Sequence, residues 1–416
     1  MRSPEIKLKL LMRMIKNGFA PERQSASLSF SGLSRVKKSI RSNMLDVAYE
    51  NYDDTNKIYF DEIIEEMQKT IYLKNDDDFK DYIGGFEKEY ADYLEVAEAS
   101  GVGSGSAALG FALRALDIGA GDEVITTAHT YIATPLAVTE VGAVPVFVDI
   151  RDDFNIDADK IEDKITQRTK AILAVHLYGK TCEMEKIIKI ARKHSLYVIE
   201  DAAQAHGAQF RGKKAGTFGL LDCFSFHPSK LIGALGDGGI VVSADKKYIE
   251  KIRHLREPLY NEARVLKSGR TPSRLDPIHI PFLRTKLRHL DEIIEKRNNI
   301  AKQYNKAFFG ISGLKTPDAG TESRHAFRNY TLMTEKRNQL REYLMASGIE
   351  TKIFYKEPVY LRREFRVLGY RQGDFPVCDK VYAQMLSLPV SHVMTAEQAD
   401  KVKKTVRRFF GENEKE

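Results

Sequence analysis

The stretch Asp222-Cys-Phe-Ser-Phe-His-Pro-Ser-Lys230-Leu-Ile-Gly-Ala-Leu-Gly-Asp-Gly-Gly239 decides how the rest of the chain is read. Its start reads as a short strand, Asp222 to Phe226, with Phe224 and Phe226 on one side and Ser225 on the other. Pro228 stops that strand, because its ring fixes φ and removes a backbone donor. Lys230 follows at once, among apolar and small residues with four glycines downstream. A lysine in such surroundings loses solvation, which lowers its pKa and leaves a nucleophilic amine. Schiff-base chemistry with an aldehyde requires such an amine. Taken alone, the segment is equally compatible with a surface lysine in a glycine-rich loop, so its neighbours decide.

Upstream, the apolar run Leu196-Tyr-Val-Ile ends in Glu200-Asp201, followed by Ala-Ala-Gln204-Ala-His206-Gly207. A buried carboxylate at Asp201 needs a partner. A protonated pyridine nitrogen is one, and the start of a following helix is the other. Gly103-Ser-Gly-Ser106 precedes a helix whose Leu109, Ala112, Leu113 and Leu116 share a face. Free backbone N–H groups and the positive end of the helix dipole make that turn a phosphate seat, with Ser104 and Ser106 as extra donors. An ordinary capped helix start has the same residues. Tyr131, after the strand Val124 to Thr127, is placed either to stack on a flat ring or to fill the core. His176 reaches the same edge and is given a structural role. Phosphate seat, aromatic, acid and lysine follow one another in chain order, and pyridoxal phosphate needs these parts and few others.

The fold class follows from the alternation around them. Strands are expected at Val124–Thr127, Val144–Asp149, Ala171–His176, Tyr197–Glu200, Cys223–Phe226 and Ile240–Ser243. Helices are expected over residues 59–73, 79–95, 106–117 and 183–194, the second with Phe79, Ile83, Phe86, Tyr90 and Leu94 on one face. This pattern indicates an α/β domain with a mostly parallel sheet flanked by helices, and ligands at the carboxyl ends of its strands. Beyond residue 285 a long charged helix, about 285 to 309, leads to a smaller α+β region. At 416 residues the chain exceeds one core. The expected division is a basic arm (1–55), a large domain (56–285) and a small domain (286–416).

Composition narrows the function classes. No apolar run approaches the roughly 20 residues that span a bilayer. Cys182, Cys223 and Cys378 are scattered singly, which gives no disulfide framework or metal spacing and suits a cytoplasmic setting. The net charge of +7 is uneven: residues 1–41 carry ten Lys or Arg against Glu5 and Glu22, so the rest sums to −1. The basic pI therefore belongs to the leader and argues against nucleic-acid binding by the body. Ile6, Leu8, Leu10, Leu11, Met14 and Ile15 among basic residues, then a serine-rich stretch from Ser25 to Ser42, read as an arm packing on its own domain or a partner subunit. Contact with an anionic membrane surface, or targeting, is the alternative.

On these residues the sequence resembles the DegT/StrS-type sugar aminotransferases, pyridoxal-phosphate enzymes of the aspartate-aminotransferase fold (fold type I). The matching motifs include Gly103-Ser-Gly-Ser-Ala-Ala-Leu109, Gly121-Asp-Glu-Val-Ile125, Pro145-Val-Phe-Val-Asp149 and Val175-His-Leu-Tyr-Gly179. Glu200-Asp-Ala-Ala-Gln-Ala-His-Gly207, Phe224-Ser-Phe-His-Pro-Ser-Lys230 and Gly233-Ala-Leu-Gly-Asp-Gly-Gly239 complete the set, and the similarity covers roughly residues 60–405. The resemblance implies a seven-stranded-type sheet. It implies that Lys230 carries the cofactor as a Schiff base and then acts as general acid and base. It implies that Asp201 holds the pyridine nitrogen and that Gln204 lies near the ring and its phenolic oxygen. Gly105, Ser106 and Ser225 then bind the phosphate, and Tyr131 stacks on the ring. The implied reaction moves an amino group from L-glutamate to a nucleotide-linked keto sugar, in a homodimer with shared active sites.

The sequence departs from the family in three places. Gly269-Arg-Thr-Pro-Ser273 lacks the asparagine that reaches a neighbour's phosphate, with Arg270 as the substitute. Phe354-Tyr-Lys-Glu-Pro-Val-Tyr360 lacks two histidines and adds Lys356 and Glu357. Lys230-Leu-Ile-Gly replaces Lys-Asn-Leu-Gly. The competing readings are a pyridoxal-phosphate sugar dehydratase and a non-catalytic regulator. Lys230 argues against dehydratases with histidine at that position, and unclustered cysteines argue against iron–sulfur ones.

Overall fold

The computed structural model describes residues 45–50, 52–257, 272–318 and 320–411. The amphipathic and serine-rich leader read above, and the Gly269-Arg270 pair, lie outside them. A seven-stranded sheet forms the centre: β1 (Glu98–Val102), β2 (Glu123–Thr127), β3 (Val144–Val148), β4 (Thr169–Val175), β5 (Tyr197–Asp201), β6 (Leu221–Ser225) and β7 (Gly239–Ser243). Their order across the sheet is β1-β7-β6-β5-β4-β2-β3. Strands β2 to β6 run parallel, and β7 lies antiparallel between β6 and β1. Runs such as Ala171-Ile-Leu-Ala-Val175 are apolar on both faces because helices cover both faces.

Each strand expected from the sequence lies within two residues of one found, but β1 is new. Its Ala99, Ser100 and Gly101 have little intrinsic preference for a strand. Tertiary contacts impose the conformation instead. β1 pairs along its whole length with β7, from Glu98 opposite Ser243 to Val102 opposite Gly239. The buried Glu87 carboxylate also accepts the Gly101 N–H at 2.7 Å and pairs with Arg256.

Helix α1 (Asp76–Leu94) starts three residues earlier than expected because Asn75 caps it, accepting from the N–H groups of Asp77 and Asp78. It presents Phe86 and Tyr90 to Phe224 and Phe226 of the Lys230 segment, with ring centroids 5.4–5.7 Å apart. His206 completes this aromatic wall. Burial holds its ring neutral, with a pKa of about 3. Its Nδ1 is 2.9 Å from the Tyr90 hydroxyl, and its Nε2 is 2.9 Å from the Ser225 carbonyl oxygen. Phe224 and Phe226 thus share one side of the chain, as their spacing predicts. Helix α2 (Gly105–Ala115) buries Leu109, Ala112 and Leu113 against the sheet.

Toward the C-terminus, a helix at Ile280–Arg288 precedes α3 (Leu290–Phe308), so the long charged helix begins later than expected. A two-stranded ribbon, β8 (Tyr330–Met333) against β9 (Met385–Leu388), packs with α3, α4 (Arg337–Ala346) and α5 (Ala396–Phe409). Val47 belongs to this second core and bridges to Ile349.

One glycine sets how closely β7 meets the start of α2. A Cβ on Gly239 would lie 2.5 Å from the Ser104 carbonyl oxygen and 2.8 Å from the Gly105 nitrogen. Backbone cannot yield as a side chain can, so Gly239→Ala is expected to cost about 1–3 kcal/mol in urea unfolding. Gly110→Ala, whose nearest neighbour is the flexible Arg114 tip at 3.4 Å, is expected to gain up to about 1 kcal/mol from helix propensity.

Candidate active site

Three strand ends and one helix start define the site. Asp201 ends β5, its register partner Cys223 lies two residues before Ser225 on β6, and Gly239 of β7 faces Ser225. The Ser104 hydroxyl caps α2 by accepting the Ala107 N–H at 3.1 Å. The first N–H groups of that helix have no partner within it. A Cβ on Gly105 would lie 2.6 Å from the Ser225 Cβ, so the missing side chain is what lets the helix start rest on β6. Gly105 and the hydroxyl of Ser225 therefore come together, with exposed Ser106 next along the helix. A helix N-terminus opened by glycine beside a serine fits a dianionic phosphate.

Asp201 is buried, and no α-helix follows it, so the helix-cap alternative does not apply in its simple form. One carboxylate oxygen accepts the Thr134 hydroxyl at 2.7 Å, and the other accepts the Ala203 N–H at 3.2 Å. Both contacts fix the carboxylate's orientation while leaving lone pairs to accept a ring N–H. Gln204 is fixed as well: its carbonyl accepts the Tyr178 N–H at 3.0 Å, and its amide donates to the Tyr355 hydroxyl at 3.0 Å. Tyr131 is 53% exposed, with its ring centroid 5.5 Å from that of Tyr355. It is therefore a surface ring at the site rather than core.

Lys230 lies in a turn, its N–H bonded to the His227 carbonyl at 2.8 Å, and its amine makes no hydrogen bond among the described residues. Its pKa is lowered to about 8, first by desolvation and then by the Arg328 cation, while Asp201 and Glu50 pull the other way. The two carboxylates and the guanidinium thus share the amine's electrostatic neighbourhood. The sequence analysis did not single out Thr134, Glu50 or Arg328. Thr134 lies three residues after Tyr131, but Glu50 and Arg328 carry no motif and become visible only through the fold.

His176 has the structural role assigned to it. It binds the buried Glu200 carboxylate through Nε2 and accepts the Cys182 N–H through Nδ1. Glu200 also takes N–H groups from Gly216, Phe218 and Gly219; burial pushes its pKa up, but the His176 ring first, and then the Gly216 and Gly219 N–H groups, hold it below the usual value. At the stretch that departs from the family, Lys356 and Glu357 are exposed. Tyr360 is buried, with its hydroxyl on Asp379, so that position builds core. The described residues hold no cluster of side chains suited to a metal ion and no helix long and apolar enough to cross a membrane.

A desolvated lysine, a fixed carboxylate and a glycine-opened helix start thus stand together at one edge of this sheet. The chain belongs to the DegT/DnrJ/EryC1/StrS aminotransferase family, whose profile matches residues 61–407. It is 40% identical over 326 residues to a dTDP-3-amino-3,4,6-trideoxy-alpha-D-glucose transaminase of Streptomyces venezuelae, covering 78% of this chain and 86% of that one. It is also 37% identical over 374 residues to a protein of Geobacillus stearothermophilus named a pleiotropic regulatory protein, covering 88% and 98%. Among solved structures, S. venezuelae DesV in complex with a ketimine intermediate superposes with a TM-score of 0.83 at 36% identity. That match covers 88% of this chain and 99% of DesV.

The lowered pKa has a measurable sign. Amine reactivity appears as the ammonium loses its proton, so pulse labelling of Lys230 in the cofactor-free protein is expected to rise through pH about 8, not 10.5. Arg328→Gln removes a cation that disfavours the ammonium, and is expected to move that midpoint upward.

Proposed function

We propose that the protein is a sugar aminotransferase that uses pyridoxal phosphate to move an amino group from L-glutamate to a keto sugar carried on a nucleotide. The observation that carries this reading is Lys230, an amine desolvated to a pKa of about 8 at the same edge as Asp201 and the Gly105–Ser225 seat. The name of the S. venezuelae relative supports the nucleotide-sugar substrate.

Pyridoxal phosphate, when bound, supplies an electrophilic carbonyl carbon and a conjugated electron sink. The N-terminus of α2 at Gly105 and Ser106, with Ser225, binds its phosphate. Asp201, oriented by Thr134 and Ala203, keeps the ring nitrogen protonated. Gln204, held between Tyr178 and Tyr355, would border the ring, and Tyr131 would stack on it. Lys230 Nζ would hold the cofactor covalently and, once freed by the donor's amine, would be the base for the proton on the donor's α-carbon and the acid that returns it on the far side of the imine nitrogen; a pKa of about 8 suits both directions near neutral pH. The second half-reaction runs these steps backward on the keto sugar.

The same proposal includes a homodimer, a cytoplasmic setting, and the division into an arm (1–55), a cofactor-binding domain (56–285) and a C-terminal domain (286–416). The β8–β9 ribbon is shared between packing layers, which supports a close junction of the last two. Met333 and Met385 pack with the sheet's core, and Leu332 and Leu386 with the second core.

The test is spectroscopic. Protein reconstituted with pyridoxal phosphate is expected to show a visible absorption band that depends on Lys230 and that L-glutamate discharges within a single turnover. Lys230→Ala is expected to lose both the band and at least about 10³-fold in transfer rate, as loss of covalent and proton-transfer roles together implies. A band that no amino acid discharges would favour the regulatory reading suggested by the Geobacillus relative's name.

A further inference from the structure

Beside Lys230 lies a cavity of about 50 Å³ whose lining is strongly cationic. Arg328, Arg297, Lys286 and Lys230 contribute to it, and Glu50 is its one carboxylate among the described residues. Arg297 is committed to backbone, donating to the Phe327 and Val390 carbonyls at 3.0 and 2.6 Å. Lys286 is likewise committed to the Gly233 carbonyl at 2.6 Å. The buried His392 ring also lines the cavity, with neither nitrogen hydrogen-bonded; burial and the nearby cations hold it neutral, at a pKa of about 3. Arg328 differs from Arg297 and Lys286 in having a carboxylate partner. Its side chain is only 8% exposed; its Nη1 donates to Asn329 Oδ1 at 2.9 Å and its Nη2 to Glu50 Oε1 at 2.6 Å. Leaving a buried guanidinium without a carboxylate is costly.

Glu50 is an unusual choice of partner. It stands 278 residues away in sequence, on a segment anchored where Asp46 and Val47 donate to the Gly348 carbonyl and Val47 accepts from Glu350. The adjoining Tyr49 is buried, 5.7 Å from the Phe354 ring. The Glu50 side chain, a carboxylate on two methylenes, has the chemistry of the side chain of a glutamate substrate. Arg328 and Glu50 both lie within electrostatic reach of the Lys230 amine, so a carboxylate held at Arg328 belongs to a molecule whose amine can reach the reactive nitrogen. With its carboxylate on Arg328, Glu50 occupies the place in this cavity that a donor's carboxylate would take.

We propose that Arg328 is the receptor for a carboxylate of the amino donor, and that Glu50 occupies this receptor in the donor-free enzyme and is displaced when the donor binds. This rests on the aminotransferase reading above and adds a residue that selects the donor, with a built-in competitor. Removing Glu50 relieves competition; removing Arg328 removes the receptor.

The probe is glutarate, which has both carboxylates of glutamate and no amine to transfer. Its affinity is measured calorimetrically on holoenzyme, with the Lys230-dependent band confirming that each variant is folded and loaded. Glu50→Gln is expected to tighten glutarate binding by about 10-fold, and Arg328→Gln to weaken it by about 10- to 100-fold, the range of one hydrogen-bonded charge. The KM for glutamate should rise by the same factor in Arg328→Gln, as expected when the group that binds the donor's carboxylate is lost. If Arg328→Gln alone proves unstable, the neutral pair Glu50→Gln/Arg328→Gln keeps the packing and should still lose glutarate. A purely structural ion pair gives the opposite pattern: stability falls in the single variants and recovers in the double, with glutarate affinity unchanged. That result, or a wild-type holoenzyme that does not bind glutarate, overturns the proposal. If glutarate follows Arg328 but no amine is transferred, only the aminotransferase reading fails. If glutamate discharges the band and Arg328 is indifferent, only this inference fails.

Discussion

The site depends on how closely a helix N-terminus can approach two strand ends. At Gly105 and Gly239 the distances to Ser225 and to the backbone of Ser104 leave no room for a Cβ. With side chains there, α2 would stand off from β6 and β7, and its free N–H groups would no longer lie beside the Ser225 hydroxyl. The antiparallel entry of β7 between β1 and β6 is what brings Gly239 to this contact. Behind it, the aromatic wall of Phe86, Tyr90, Phe224, Phe226 and neutral His206 holds the Lys230 strand rigid, through ring packing and the His206 bond to the Ser225 carbonyl. The rigid side of the site is therefore built from packing, which suits the precise placement that orientation-dependent catalysis needs.

The other side is electrostatic. Lys230 is kept reactive by two effects of the same sign, desolvation and the Arg328 cation, and held in check by the carboxylates of Asp201 and Glu50. The carboxylate of Asp201 is locked by Thr134 and Ala203. Glu50, by contrast, is half-exposed and comes from a segment tied to the C-terminal core at Val47. One carboxylate thus serves as a fixed charge and the other as an exchangeable one. Any anion that replaces Glu50 at Arg328 keeps the charge balance that Lys230 experiences.

Much of this was legible in the sequence, for identifiable reasons. The strands around the site are buried on both faces, so their apolar runs stand out and their ends fall within two residues of the expected places. The four chemical elements, Gly105–Ser106, Tyr131, Asp201 and Lys230, each follow a strand or precede a helix, which is where local pattern is strongest. β1 was not legible, because Glu98-Ala-Ser-Gly-Val102 is a strand only through its pairing with β7 and the Glu87 bond. Arg328 and Glu50 were not legible either. Their pairing joins positions 278 residues apart, and neither residue carries a local signal of burial or partner. Tyr360 shows the limit from the other direction: the sequence marks it only as a departure from the family's histidine, and its burial and its bond to Asp379 become visible only in the fold.

The central claim is that one lysine, Lys230, is the covalent attachment point around which the other groups are arranged. Borohydride reduction of the protein after incubation with pyridoxal phosphate, followed by peptide mass mapping, tests it most directly. The account predicts a reduced pyridoxyl adduct on Lys230 at near-unit stoichiometry, with Lys286, the other lysine of the cavity, unmodified. An adduct distributed over surface lysines, or placed on Lys286 in preference to Lys230, would contradict it.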